Sequence, residues 1–147
     1  MLIHKKNGFT VLEAVVAIAI ISFVLVTSIT LLINILNQNK AQQAQLNAIQ
    51  YATMIRDDLQ IDLSVTDASS LIGKTPLDST NYTTVLSTSI VINDAFNQAS
   101  NPFYDKTIIT FIDETFYATL NLTIINFMVQ IEYYPNRTLT IEGVLYG

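Results

Sequence analysis

The first chemical feature of this chain is a carboxylate set among apolar residues. Glu13 lies five positions after Gly8 in the stretch KKNGFTVLEAVVAIAII, residues 5–21, and the 26 residues from Ala14 to Asn39 carry no charge. An ionised carboxylate in hydrocarbon is costly unless a positive or hydrogen-bonding partner meets it. The sharpest change in composition falls before the apolar segment, at Gly8 and Phe9. A backbone cut there would remove Lys5 and Lys6 and leave the hydrophobic stretch whole. Other reactive side chains form no comparable pattern. Asp57, Asp58 and Asp62 lack a compact metal-ligand spacing and read as a solvated helix end, while Asp113 and Glu114 read as a turn between strands. Serine and threonine are plentiful, but none sits in a nucleophile elbow and no acid–base constellation accompanies them. His4 would leave with the first eight residues, and the chain has no cysteine. No catalytic residue, metal site or cofactor is therefore expected.

The elements that must position Glu13 follow from hydropathy. From Ala14 to Ile33 only Ser22, Thr27, Ser28 and Thr30 interrupt an apolar run. About 20 such residues, as helix, span a hydrocarbon layer of about 30 Å. Lys5 and Lys6 lie on its N-terminal side, which predicts a cytoplasmic N-terminus and an extracytoplasmic remainder. No proline or glycine occurs between Phe9 and Leu63. Beyond the span, Ala41, Ala44, Ala48, Ala52, Ile55, Leu59 and Leu63 recur at spacings of three and four, one face of a helix. The pattern favours one continuous helix of some 50 residues, about 80 Å long at 1.5 Å per residue, over an anchor followed by a separate helix. Its outer half should carry this stripe against a folded domain. Leu46 and Met54 point away from the stripe, toward solvent or a neighbouring subunit.

Residues 66–81, with Gly73 and Pro76, read as a connection. Strand-like runs rich in β-branched and aromatic residues follow at 84–92, 107–112, 116–125, 127–134 and 138–146. Leu120, Leu122 and Ile124 alternate on one face, and Phe127, Val129, Ile131 and Tyr133 on the next. This slip of phase predicts a bulge or turn at Ile125 and Asn126. Pro135 and Asn136 read as a hairpin turn. Residues 93–105 read as a surface loop anchored by Phe96, Phe103 and Tyr104. The expected fold is α+β: a long N-terminal helix, transmembrane and then amphipathic, packed on a C-terminal antiparallel sheet. The sheet's second face then needs polar cover or a partner.

The formal charge is −5, and no Lys/Arg cluster follows Lys6. Loss of Lys5 and Lys6 makes the remainder more acidic, which opposes nucleic-acid binding.

The stretch KKNGFTVLEAVVAIAII resembles the class III leader of type IV prepilins and of the pseudopilins of type II secretion and competence machines. That resemblance covers residues 5 to about 36. It implies cleavage after Gly8 by a prepilin peptidase, methylation of the new terminus at Phe9, and a role for Glu13 in assembly. It also implies a type IV pilin-like fold with four parts: a leader over 1–8, a transmembrane and assembly helix over 9–36, its amphipathic continuation over 37–65, and a β-rich head over 66–147. With no cysteine, and no proline before Pro76, the chain departs from many major pilins, so a minor or pseudopilin role is favoured. The partners implied are the peptidase, other pilins or pseudopilins through their N-terminal helices, an inner-membrane assembly platform, and lipid before assembly. Cleavage also creates an α-ammonium at Phe9 whose charge methylation retains. Glu13 has two ways to meet it: within its own helix, or on a staggered neighbour, where the pairing would select axial register. The alternatives are a minor pilin of a true type IV pilus, with an adhesive or DNA-capturing role, and an anchored accessory protein that does not polymerise.

Overall fold

The computed structural model describes residues 10–82, 95–97, 99 and 101–147. The chain divides into two compact units, Met1–Lys40 and Ala41–Gly147. Helix α1, Val11–Asp62, contributes to both. In the first unit its side chains are exposed, except for the half-exposed Ala14 and Ala17. This part is long and apolar enough to cross a membrane.

In the second unit α1 becomes one-sided, as its sequence pattern requires. Ala41, Ala48, Ala52, Ile55 and Leu59 are buried, and Leu63 just beyond the helix joins them. Ala44, from the same expected stripe, is only partly covered. Leu46 and Met54 are exposed, as their helical angle predicts. The stripe shares one core with strands β1, Thr107–Tyr117, β2, Leu122–Tyr134, and β3, Arg137–Tyr146. The strands form an antiparallel sheet in the order β1-β2-β3. Ile125, Phe127, Val129 and Ile131 are fully buried at every second position of β2, so the central strand supplies the centre of the core. The expected architecture, a helix on an antiparallel sheet, is the one observed.

Three local expectations are corrected. Asp113 and Glu114 do not form a turn; both lie within β1, and the reversal comes later, between Tyr117 and Leu122. Asn121 there has φ 49, a left-handed conformation that asparagine tolerates better than most residues. Phe116 therefore belongs to β1, and Leu120 lies in the turn rather than on a strand face. Nor does the phase slip within β2, where Ile125 and Phe127 share the buried face. The irregularity sits across the ladder, between Phe111 and Asp113, leaving Ile112 as the extra residue opposite the Phe127–Asn126 step. The apparent slip arose because the start of β2 is apolar on both faces: Leu122 and Ile124 on one, Ile125 and Phe127 on the other. Finally, the connection after α1 contains a short helix, α2, Val65–Ser69. Ser64 caps it, its hydroxyl accepting from the Asp67 amide at 3.1 Å. The strand expected over 84–92 lies outside the described residues.

Pro135 and Asn136 make the β2–β3 turn, as expected, with Asn136 at φ 61. Of the loop anchors, Phe96 is buried and stacks on Tyr82 at 4.8 Å, while Phe103 meets Tyr51 edge-on at 6.0 Å. Tyr104 is half-buried. Two buried polar side chains hold this region. Asn101 donates to the Ala95 carbonyl at 2.6 Å and accepts from the Phe103 amide at 2.9 Å, and the Thr107 hydroxyl donates to the Phe103 carbonyl at 2.7 Å. Each thereby avoids the cost of an unpaired buried group.

Gly143 faces Phe127 across the β2–β3 ladder, and a Cβ added there would lie 2.2 Å from the ring. The fully buried ring has no room to yield, so Gly143→Ala is expected to lower stability by about 2 kcal/mol or more, the overpacking range. Urea unfolding of the two proteins checks this.

The Asp78 carboxylate accepts from the Thr80 hydroxyl at 2.6 Å, the Thr80 amide at 2.8 Å and the Asn81 amide at 3.0 Å. The Thr80 hydroxyl foremost, then the Thr80 amide and least the Asn81 amide, hold its pKa below the ordinary 3.8 against the opposing effect of burial. A depressed folded-state pKa contributes stability that is present above the unfolded value and lost as pH falls through the folded one. The stability difference between Asp78→Ala and the parent should be full above about pH 4 and shrink below it, as thermal unfolding across pH 2–6 will show.

Candidate functional site

The first turn of α1 contains the only sequence-predicted site residue that falls within the described residues, Glu13; Lys5, Lys6, Gly8 and Phe9 lie outside them. Thr10 precedes the helix and acts as its cap. Its hydroxyl accepts from the Glu13 amide at 3.2 Å, the Glu13 carboxylate Oε2 accepts from the Thr10 amide at 3.3 Å, and the Thr10 carbonyl accepts the first helical bond from Ala14 at 3.2 Å. This reciprocal pair is a capping box. It satisfies two of the donors that a helix start leaves without intrahelical partners.

Thr10 is thus a site residue that the sequence analysis missed. The signal was present: Thr-Val-Leu-Glu at 10–13 has the spacing of a threonine and a glutamate three residues apart before an apolar run. The geometry alters the account of Glu13. Its carboxylate does not depend wholly on a distant cation, because the helix's own N-terminal amides and dipole already favour negative charge there. A carboxylate has about four acceptor positions. A bond from the Thr10 amide therefore leaves capacity for a second donor, and the Phe9 amine of a processed chain would be one residue away along the backbone.

The hydroxyls farther along the apolar segment are also satisfied locally. Ser22 donates to the Ile18 carbonyl at 2.8 Å, Ser28 to Val24 at 2.7 Å and Thr30 to Val26 at 2.9 Å, while Thr27 is shared between Phe23 and Val24. Each folds back on the preceding turn, so none would face hydrocarbon unpaired. The polar breaks in the apolar run are thereby compatible with lipid.

Three of the acidic groups beyond Glu13 have partners of their own. Asp57 pairs with adjacent Arg56 at 2.7 Å, and Asp113 accepts from the Asn126 amide group at 2.7 Å. Glu114 meets the Ser69 hydroxyl.

Residues 3–29 match the model of the prokaryotic N-terminal methylation motif. The match runs through the capped first turn and most of the apolar segment, and defines a chain bearing the motif typical of type IV pilin and pseudopilin leaders. Such a motif implies processing by a prepilin peptidase. No curated protein and no solved structure matches the chain.

If the capping box fixes the start of α1, Thr10→Val should speed amide exchange at Glu13 about fivefold in detergent micelles, corresponding to the loss of about 1 kcal/mol typical of a cap. Thr10→Ser should leave that rate near the parent value. Site-resolved hydrogen exchange by NMR makes the comparison.

Proposed function

We propose that this chain is a minor structural subunit of a type IV pilus-like filament, a type II secretion or competence pseudopilus, cleaved after Gly8, methylated at Phe9 and assembled through α1. The observation that carries this reading is the place of the methylation motif: it is matched at 3–29 and runs into α1, a helix that starts as an apolar, exposed segment and ends packed on an antiparallel sheet. Before assembly, lipid covers the apolar half, with the N-terminus cytoplasmic and the head outside. On assembly, neighbouring helices replace the lipid.

A second feature supports lateral association. Leu46, Met54 and Ile61 are each more than half exposed on α1, turned away from the stripe that packs on the sheet. Gln50 and Asp57 lie between them along that face, so they offer separate apolar contacts to another subunit rather than a continuous stripe.

The role of Glu13 is to select register. Its hydrogen bond to Thr10 moderates the burial cost within one chain, and the Phe9 ammonium of a staggered neighbour supplies the charge that completes the pairing. A register leaving the carboxylate without that cation is disfavoured by several kcal/mol.

Gly8→Leu should accumulate a precursor that still begins at Met1, detected by intact-mass spectrometry. Glu13→Ala should still be inserted and cut, yet fall at least tenfold in filament fractions sheared from cells. Parent-level incorporation of Glu13→Ala would remove the register role. A mature parent chain that begins at Met1 and never crosslinks to neighbouring helices would favour the anchored accessory protein.

A further inference from the structure

The sheet face turned away from α1 is divided between two kinds of surface. The alternation on β2 and the strand register place Asp113, Thr115 and Tyr117 of β1 on that face, with Leu122, Ile124, Asn126 and Met128 of β2 and Glu142, Val144 and Tyr146 of β3. Toward the Pro135–Asn136 turn the same face is more polar, with Gln130, Glu132, Thr138 and Thr140 around a partly exposed Ile108. Toward the β1–β2 turn it is apolar and open. Tyr146 is 73% exposed and Tyr117 46% exposed. At the bulge the surface dips into a cleft of about 320 Å³, where Ile112 and Val144 supply apolar walls and Asp113 and Glu142 supply carboxylates. The extra residue in β1 creates this feature, because it breaks the ladder opposite Asn126 and brings Ile112 to the cleft wall.

We infer that this end of the outer sheet face is a docking surface for a different protein, one that presents an apolar side chain flanked by lysine or arginine. Charge complementarity decides the occupant. The ionisable groups lining the cleft are acidic, and the unit that carries it, residues 41–147, has four Lys/Arg against eleven Asp/Glu. A second copy would bring the same excess of negative charge and is disfavoured by repulsion. An anionic membrane surface is disfavoured for the same reason. A basic partner is attracted to the rim, while its apolar group covers Tyr146, Ile124 and Val144. The aliphatic stem of a lysine or arginine suits the cleft itself, lying along Ile112 and Val144 with its charged end toward the carboxylates. The surface stands whether or not α1 polymerises, since it uses only the second unit.

The test is site-specific photocrosslinking in the native host, using the full-length chain with p-benzoylphenylalanine at Tyr146. The same probe at Thr138, at the polar end of the same strand, is the control. Tyr146 should give an adduct with a different polypeptide, mapped by mass spectrometry to a segment where an apolar residue lies within four positions of Lys or Arg. Combined Asp113→Asn and Glu142→Gln, which keep side-chain volume and the acceptor for Asn126, should lower that adduct at least fivefold with an unchanged thermal midpoint. No adduct from Tyr146, equal capture from Thr138, or insensitivity to the neutral pair overturns the inference. So does an adduct only with lipid, with a second copy, or with residues 83–94 of the same chain.

Discussion

A carboxylate at the start of a helix apolar enough to cross a hydrocarbon layer must be held by donors, and the local structure of the first turn of α1 meets that requirement. Water solvates a carboxylate far better than lipid does, so Glu13 is tolerable only where fixed dipoles or a cation replace that hydration. Its position in the first turn supplies part of the replacement at once. The amides there are the ones a helix cannot satisfy from within, and the Thr10–Glu13 exchange uses both partners' unmet capacity. The same glutamate moved two turns down the apolar segment would have only backbone amides already engaged in the helix. Placement therefore makes the difference between an unpaired carboxylate and one that already accepts a backbone donor.

The remainder of α1 shows two surface patterns on one helix, apolar all round and then apolar on one side. In its first part the hydroxyls of Ser22, Thr27, Ser28 and Thr30 turn back onto carbonyls of the preceding turn, leaving an almost wholly apolar surface that would suit lipid. In its last part the buried positions begin with alanines and end with Ile55 and Leu59. Ala48 and Ala52 of the helix share one buried cluster with Phe111 and Phe127 of the sheet, whose rings are 5.9 Å apart. Small residues on the helix and large ones on the sheet are complementary halves of one packing solution. Phe127 in turn requires Gly143 on the next strand, since its ring occupies the volume a side chain there would take.

Away from that core, the bulge in β1 has two consequences. It allows the strand to continue past Phe111 to Tyr117 beyond the area that α1 covers, which is why residues 112–117 are all exposed. It also places an acidic, apolar-walled cleft on the outer face. Head and helix thus offer different chemistry to the surroundings: the first part of the helix is apolar on every side, and the head carries carboxylates beside apolar walls.

Much of this could be read directly from residue order. A long uncharged run states its own membrane-spanning length, and the spacing of Ala48, Ala52, Ile55 and Leu59 states which helix face is covered, because both depend on local periodicity alone. The turn at Pro135 and Asn136 was legible for the same reason: the backbone preferences of those two residues act within the turn itself. The capping box was equally local, written in Thr10 and Glu13. The end of β1 and the start of β2 were not legible. Leu122, Ile124, Ile125 and Phe127 are all apolar, and alternation cannot tell a buried face from an exposed one when both carry such residues. Only pairing with β1 and β3, and burial of Ile125 and Phe127 against α1, selected the face. The position of the bulge likewise followed from matching two strands, a relation between distant residues that no single strand encodes.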